Sequence, residues 1–293
     1  MLFRSEATPG VKDQPPPRDL PALDIVADKL ILGGNDLGRL ELVAVNKVLD
    51  WRIEKLVLTG PESTLTAKGS WQSWRLQPRF NVESMQLDVS DIGAYLERLG
   101  YPRTMQGGSA TLKGSASWAG SPQSIDVATL SGSLQLDARK GQFLRAEPGA
   151  ARLIGVLNPT AWLQLDFRDL VGKGFAFDSL STKVTLSDGV ADTREFNMSG
   201  PSGKVKMTGQ VDMVKETQDL RASVEPSVGD SVSVAVAVAI NPVWGLGALL
   251  LQRILKNPLG QVLTFEYHVT GTWNEVKVER LKADVRNAKP EPY

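Results

Sequence analysis

The chain has 293 residues, enough for one large domain or two ordinary ones, and its 33 Lys and Arg residues balance its 33 Asp and Glu residues. Because the net charge is zero, bulk electrostatics favours no polyanion, and nucleic acid is not predicted as a partner. The chain has no cysteine and a single histidine, His268, which excludes cysteine nucleophiles, cysteine-bound zinc, iron–sulfur clusters and histidine-rich metal sites. We therefore predict neither a metal nor a cofactor.

Residues 1–22 are predicted to be a proline-rich, disordered linker. They carry several charges and lack the apolar stretch of a signal peptide. Pro15, Pro16 and Pro17 favour an extended polyproline conformation, so ordered structure is expected to begin near Leu23. The chain is therefore interpreted as a fragment of a longer protein.

Apolar and polar residues alternate along most of residues 23–282, which predicts β-strands. The alternation is clearest at residues 64–71, 110–118, 204–213 and 263–273. A strand with one apolar and one polar face is typical of antiparallel sheets, so the predicted fold is mainly β and antiparallel.

Four glycines recur on the apolar face of these strands, namely Gly69, Gly114, Gly209 and Gly271. Glycine inside a strand marks a bulge, a bend or a place where another group approaches the backbone closely. We favour a bend over the approach of a ligand at these positions.

Three short segments with helical spacing interrupt the strands, near residues 91–100, 147–157 and 243–255. The first has Asp91 near its start and Gly100 after its last apolar residue, which suits a short amphipathic helix. Residues 283–293 are predicted to be a polar tail.

The third helical segment overlaps a charge-free run at residues 231–252, whose length meets that of a membrane span. Asn241 and Pro242 interrupt the run, and the remaining helix would reach only about 20 Å, so no span is predicted. An interfacial membrane helix and a plug at the end of a groove suit this segment equally. In either role its candidate contact residues are Trp244, Leu246, Leu249, Leu250, Ile254 and Leu255.

Several motifs follow one another in a recognisable order: PGAARLIG at residues 148–155, LDF at 165–167, GKGFAFD at 172–178, NPVWGLG at 241–247 and YHVTGTW at 267–273. Together they resemble the AsmA-like C-terminal region of the YhdP family of bacterial envelope proteins, which is related to AsmA and TamB. The resemblance covers roughly residues 80–282.

This resemblance implies a long antiparallel sheet curled into a taco-like β-groove with three short helical insertions. It further implies a non-enzymatic protein that guides phospholipid acyl chains between the inner and outer membranes. The implied location is the periplasm and cell envelope, with an inner-membrane anchor in an N-terminal segment missing from this chain.

The apolar face is the physical reason to predict a lipid ligand. Each acyl methylene buried on it contributes about 0.8 kcal/mol to binding, and such binding needs no catalytic group. Alternation alone favours a closed β-sandwich, whereas the resemblance favours an open groove. The candidate lining residues are Leu65, Leu112, Trp118, Val205, Met207, Val211, Met213, Leu263, Phe265, Tyr267 and Val269.

Two other functions remain as alternatives. One is a structural or assembly factor whose sheet edges bind other envelope β proteins. The other is a hydrolase that uses Asp166, Asp169 or Asp178, but no nucleophile or base stands at a fixed spacing from them. We rank the hydrolase last.

Overall fold

The computed structural model describes residues 21–47, 50–72, 77–144, 175–227 and 261–287. These residues form thirteen strands, one short α-helix and a 3₁₀ turn at Val127–Thr129. The strands are β1 (Leu23–Leu32), β2 (Asn35–Asn46), β3 (Trp51–Thr59), β4 (Ser63–Gln72), β5 (Arg79–Val89), β6 (Met105–Ala119), β7 (Ser131–Phe143), β8 (Phe175–Ser187), β9 (Val190–Gly200), β10 (Gly203–Asp212), β11 (Thr217–Pro226), β12 (Gln261–Thr272) and β13 (Val276–Asn287), and the helix is α1 (Ile92–Arg98).

All thirteen strands belong to one sheet and follow one another in chain order, each antiparallel to the next. The sheet does not close on itself, and β1 and β13 are its two edges in the described part of the chain. Its twelve steps of about 4.8 Å give it a length of about 58 Å along the hydrogen-bond direction. The predicted fold class, a mainly β chain with an antiparallel sheet, is confirmed.

The limits of the sheet agree with the sequence at one end and differ at the other. Strand β1 begins at Leu23, where ordered structure was expected. Strand β13 continues to Asn287, into the segment predicted as a polar tail, because it stays paired with β12 as far as Gln261. An edge strand tolerates charged residues, which alternate with Ala283 and Val285 here.

Helix α1 confirms the first of the three predicted helices. The Asp91 carboxylate accepts a hydrogen bond from the backbone N–H of Ala94 at 3.0 Å, which caps the first turn. The helix ends at Arg98, and Gly100 follows with φ of 88°. The other two predicted helices, at 147–157 and 243–255, lie outside the described residues. In the part that is described, no helix has the length and apolar character to cross a membrane.

A bidentate ion pair fastens α1 to the connection between β3 and β4. The Arg98 guanidinium donates to the two carboxylate oxygens of Glu62 at 2.9 and 2.7 Å. These hydrogen bonds lower the pKa of Glu62 below its ordinary value of 4.5. Both side chains of the pair are mostly shielded from solvent, with exposures of 31% for Arg98 and 18% for Glu62. The ion pair therefore fixes the helix at one margin of the sheet.

Three of the recurrent glycines adjoin β-bulges, which confirms the bend interpretation at those positions. The register shifts beside Gly69, between β4 and β5, and beside Gly209, between β9 and β10. Gly114 pairs with Met85 at the end of another shift, between β5 and β6. A bulge increases the local right-handed twist, so these sites coil the sheet.

Gly209 shows why the side chain must be absent. Its φ is +133°, and a Cβ there would collide with the backbone carbonyl oxygen of Asp219 on β11.

We expect Gly209→Ala to lower the free energy of unfolding by about 1–3 kcal/mol, measured by urea denaturation. Thr208→Ala is the matched control, because Thr208 is the exposed neighbour on the same strand, and its effect should stay within about 0.5 kcal/mol. Equal effects of the two substitutions would contradict this explanation.

The Glu62–Arg98 pair gives the fold a specific pH dependence. A carboxyl whose pKa is lower in the folded state contributes stability above its unfolded pKa, and this contribution is lost as the pH falls through the folded value. Glu62→Gln should therefore be less stable than the wild type at pH 7, and the difference should shrink as the pH falls below 4.5. Urea denaturation across a pH series measures this, with Glu83→Gln as the control for the substitution itself. A difference that persists unchanged at low pH would refute the assignment.

Candidate functional site

The register of the sheet places apolar side chains in rows that run across the strands. Residues that oppose each other on neighbouring antiparallel strands share one face, so each row follows the hydrogen-bond direction. The clearest row, called the leucine row below, has one leucine on each of β2–β7. Its members are Leu40, Leu58, Leu65, Leu87, Leu112 and Leu136.

All six side chains of the leucine row are half-buried. Five inter-strand steps of about 4.8 Å give the row a length of about 24 Å. The side chains therefore form a continuous apolar strip that still reaches solvent.

The row continues beyond β7 in a different environment. Leu136 is followed on β8 by Thr182, and farther along the same face lie Met207, Ala222 and Tyr267 on β10, β11 and β12. Met207 is only 1% exposed and Tyr267 only 6%. Along this row, the side chains thus change from half-buried to buried between β7 and β8.

The closed region, called the buried half below, is one hydrophobic cluster centred on β8–β12. Its buried residues have exposures of 8% or less. They are Ala138, Phe177, Leu180, Leu186, Ala191, Phe196, Val205, Met207, Val211, Leu220, Ala222, Val224, Phe265, Tyr267 and Val269. Exposures this low are typical of a protein core.

A second row, called the aromatic row below, runs parallel to the leucine row on the same face. It consists of Trp51, Trp71, Phe80 and Trp118, at opposed positions on β3–β6. The rings of Phe80 and Trp118 lie 5.0 Å apart, and the indole N–H groups of Trp71 and Trp118 donate to backbone carbonyls of the loop that follows β6. The aromatic row therefore closes one margin of the face. Of its members, only Trp118 was predicted as a site residue.

The predicted lining residues fall into these different regions. Leu65 and Leu112 belong to the leucine row, and Trp118 belongs to the aromatic row. The predicted residues that lie in the buried half, and so offer little accessible surface, are Val205, Met207, Val211, Phe265, Tyr267 and Val269. Met213 is half-buried against that cluster. The Leu263 side chain and the six helix residues, Trp244, Leu246, Leu249, Leu250, Ile254 and Leu255, lie outside what the structure describes.

Charge is confined almost entirely to the opposite face. From β1 to β12, the opposed apolar positions of the described strands hold no Asp, Glu, Lys or Arg. The first cation over the apolar face is Arg280 on β13, whose guanidinium carbon lies 4.6 Å from the centre of the Phe265 ring. Along the leucine row and its continuation, the described side chains therefore carry no charge before Arg280 on the last strand.

The opposite face carries ion pairs between neighbouring strands. Glu41 accepts hydrogen bonds from Lys55 at 2.7 Å and Arg39 at 3.3 Å, and these lower the pKa of Glu41. His268 lies on this face too, with its Nε2 atom 2.7 Å from an Asp219 carboxylate oxygen. The charged side chains of these contacts remain partly exposed to solvent.

Of the acidic residues considered for hydrolysis, only Asp178 lies in the described part of the chain. Asp178 is exposed, while Asp166 and Asp169 lie outside the described residues. Among the residues that are described, no group of three or more His, Asp or Glu side chains could hold a metal ion. The described residues therefore form an apolar surface on one face of the sheet.

Comparison with known proteins agrees with this description. The family model of the YhdP protein matches residues 3–278. The chain belongs to the YhdP family. It is 28% identical over 231 residues to the intermembrane phospholipid transporter YhdP of Escherichia coli (strain K12). That alignment covers 78% of this chain and 18% of the longer YhdP relative, so the chain spans about a fifth of that protein. No solved structure matches the chain.

Proposed function

We propose that this chain is a phospholipid-carrying segment of an intermembrane transporter in the cell envelope, and that acyl chains lie on its apolar face. The observation that carries this proposal is the leucine row, a half-buried apolar strip whose six side chains carry no charge. The family membership and the phospholipid transporter among its relatives support the choice of lipid as the ligand.

The energetics suit an acyl chain. Each methylene removed from water contributes about 0.8 kcal/mol. One acyl chain spans half of the hydrocarbon core of a bilayer, about 15 Å, so it fits within the leucine row. Because hydrophobic contact is non-directional, a chain could also move along the row without breaking specific bonds. No catalytic group takes part in this function.

The location follows from the same family argument. We place the protein in the periplasm, with its membrane anchor in a segment N-terminal to this chain. The helical segment at 243–255 is proposed to dock on a membrane surface or to plug one end of the groove. Both parts of this proposal rest on the sequence pattern and the family.

A second candidate function draws on the β1 edge. Val26 and Ile31 are both 59% exposed and Leu32 is 66% exposed on this edge strand. Edge strands with exposed apolar residues accept strands from other proteins, whereas β13 at the other edge is rich in charge. This observation favours a structural or assembly role in which β1 binds a strand of another envelope protein.

Lipid carriage predicts that the purified chain retains phospholipid. Leu112→Asp should reduce the phospholipid recovered per mole of folded protein about tenfold, because an acyl chain beside the new carboxylate would prevent its hydration. Mass spectrometry of organic extracts measures the recovery.

The matched control is Lys113→Asp, which adds the same side chain to the next position, on the opposite face. It should retain lipid at the wild-type level, and circular dichroism should show that both variants keep their β structure. A folded wild-type protein whose extracts contain no phospholipid would refute lipid carriage and leave the edge-binding role as the better explanation.

A further inference from the structure

We propose that a lipid acyl chain occupies only the leucine row over β2–β7 and that its methyl end stops at β8. This inference rests on the proposed function and deepens it by assigning the position and direction of the bound chain. The buried half is then a structural core that lipid does not enter.

The contrast in exposure supports the first part. Leu65, Leu112 and Leu136 are half-buried on one row, while Met207 and Tyr267, farther along that face, are 1% and 6% exposed. An acyl chain binds by covering apolar surface that water otherwise reaches. Met207 and Tyr267 have almost no such surface left, so a chain above them would gain little.

The first residue beyond the leucine row supports the second part. Thr182 opposes Leu136, and its hydroxyl lies 3.1 Å from the hydroxyl of Thr193 on β9. The Thr193 hydroxyl donates to the backbone carbonyl of Lys183 at 2.9 Å. Thr182 thus stands where the row would have its next leucine. The two buried hydroxyls meet their hydrogen-bonding requirement within the protein, so the apolar strip ends at a polar pair that needs no outside partner.

The direction of the chain follows from the cost of burying charge. A phosphate headgroup next to β8 would lie against a buried hydrophobic cluster, and the cation over that cluster, Arg280, lies above Phe265 at its far end, on β13. The methyl end of an acyl chain has no such cost there. The headgroup must therefore lie towards β1 and β2, where the sheet ends and its side chains are more exposed.

The leucine row also has the length that this arrangement needs. At about 24 Å it accommodates one chain of about 15 Å and leaves the β2 end free for the glycerol group. The β7 end of the row therefore contacts the methyl end of the acyl chain, and the β2 end contacts the glycerol group.

The test uses the unmodified wild-type chain and two photoactivatable phosphatidylcholines, one with a diazirine at the acyl terminus and one with a diazirine near the ester. Each is mixed into phosphatidylethanolamine–phosphatidylglycerol vesicles, irradiated with the protein, and the labelled residues are located by tandem mass spectrometry. Lys113 and Gln135, on the opposite face of the same strands, report non-specific labelling.

The terminal diazirine should label Leu112 and Leu136, and the ester-proximal diazirine should label Leu65 and Leu58, three and four strand steps from Leu136. Each should exceed the label on Met207 and Tyr267 about tenfold, a preference of about 1.4 kcal/mol. Comparable label on Met207 and Tyr267, or the reverse order of the two probes, would overturn this inference while leaving lipid carriage intact. Label no greater than that on Lys113 at every position would overturn lipid carriage as well.

Discussion

The strand register is the constraint on which the rest of the structure depends. Side chains alternate between the two faces of a strand, so a slip of one residue would move every leucine of the leucine row to the hydrated face. Twelve successive antiparallel pairings maintain this register from β1 to β13. The separation of an apolar face from a charged face is thus a property of the whole sheet.

The bulges and glycines let so long a sheet keep its register and still twist. Extra residues in β5 and β9 adjoin Gly69, Gly114 and Gly209 on the neighbouring strands. Flat sheets of many strands are unusual, because each strand has an intrinsic right-handed twist. The glycines let neighbouring backbones approach closely where the twist increases. Each bulge accommodates one extra residue in its strand while the apolar side chains beyond it stay on the same face.

The sequence predicted the local structure well, since local structure depends on neighbouring residues. Alternation identified β4, β6, β10 and β12, and Asp91 with Gly100 located helix α1. The family resemblance found on sequence motifs is confirmed by the family match. The end of β13 was missed because pairing with β12, which no local pattern reveals, extends it to Asn287.

Burial could not be predicted in the same way. Leu112 and Met207 have the same alternating sequence environment, yet only Met207 is enclosed by a hydrophobic cluster. The aromatic row likewise depends on residues far apart in the chain, such as Trp51 and Trp118, being brought to one margin by pairing. The alternation along the strands indicates that these aromatic residues lie on the apolar face. Only the strand register shows that they form a row.

Cysteine accessibility along one face tests the central claim most directly, because the chain has no native cysteine. Single cysteines at Leu58, Leu112 and Met207 would be reacted with a maleimide in the folded protein after its bound lipid has been removed, with and without added phospholipid vesicles. We expect rapid reaction at positions 58 and 112, protection of both by lipid, and slow reaction at position 207 under either condition. Equal reactivity at all three positions, or no protection by lipid at position 112, would contradict it.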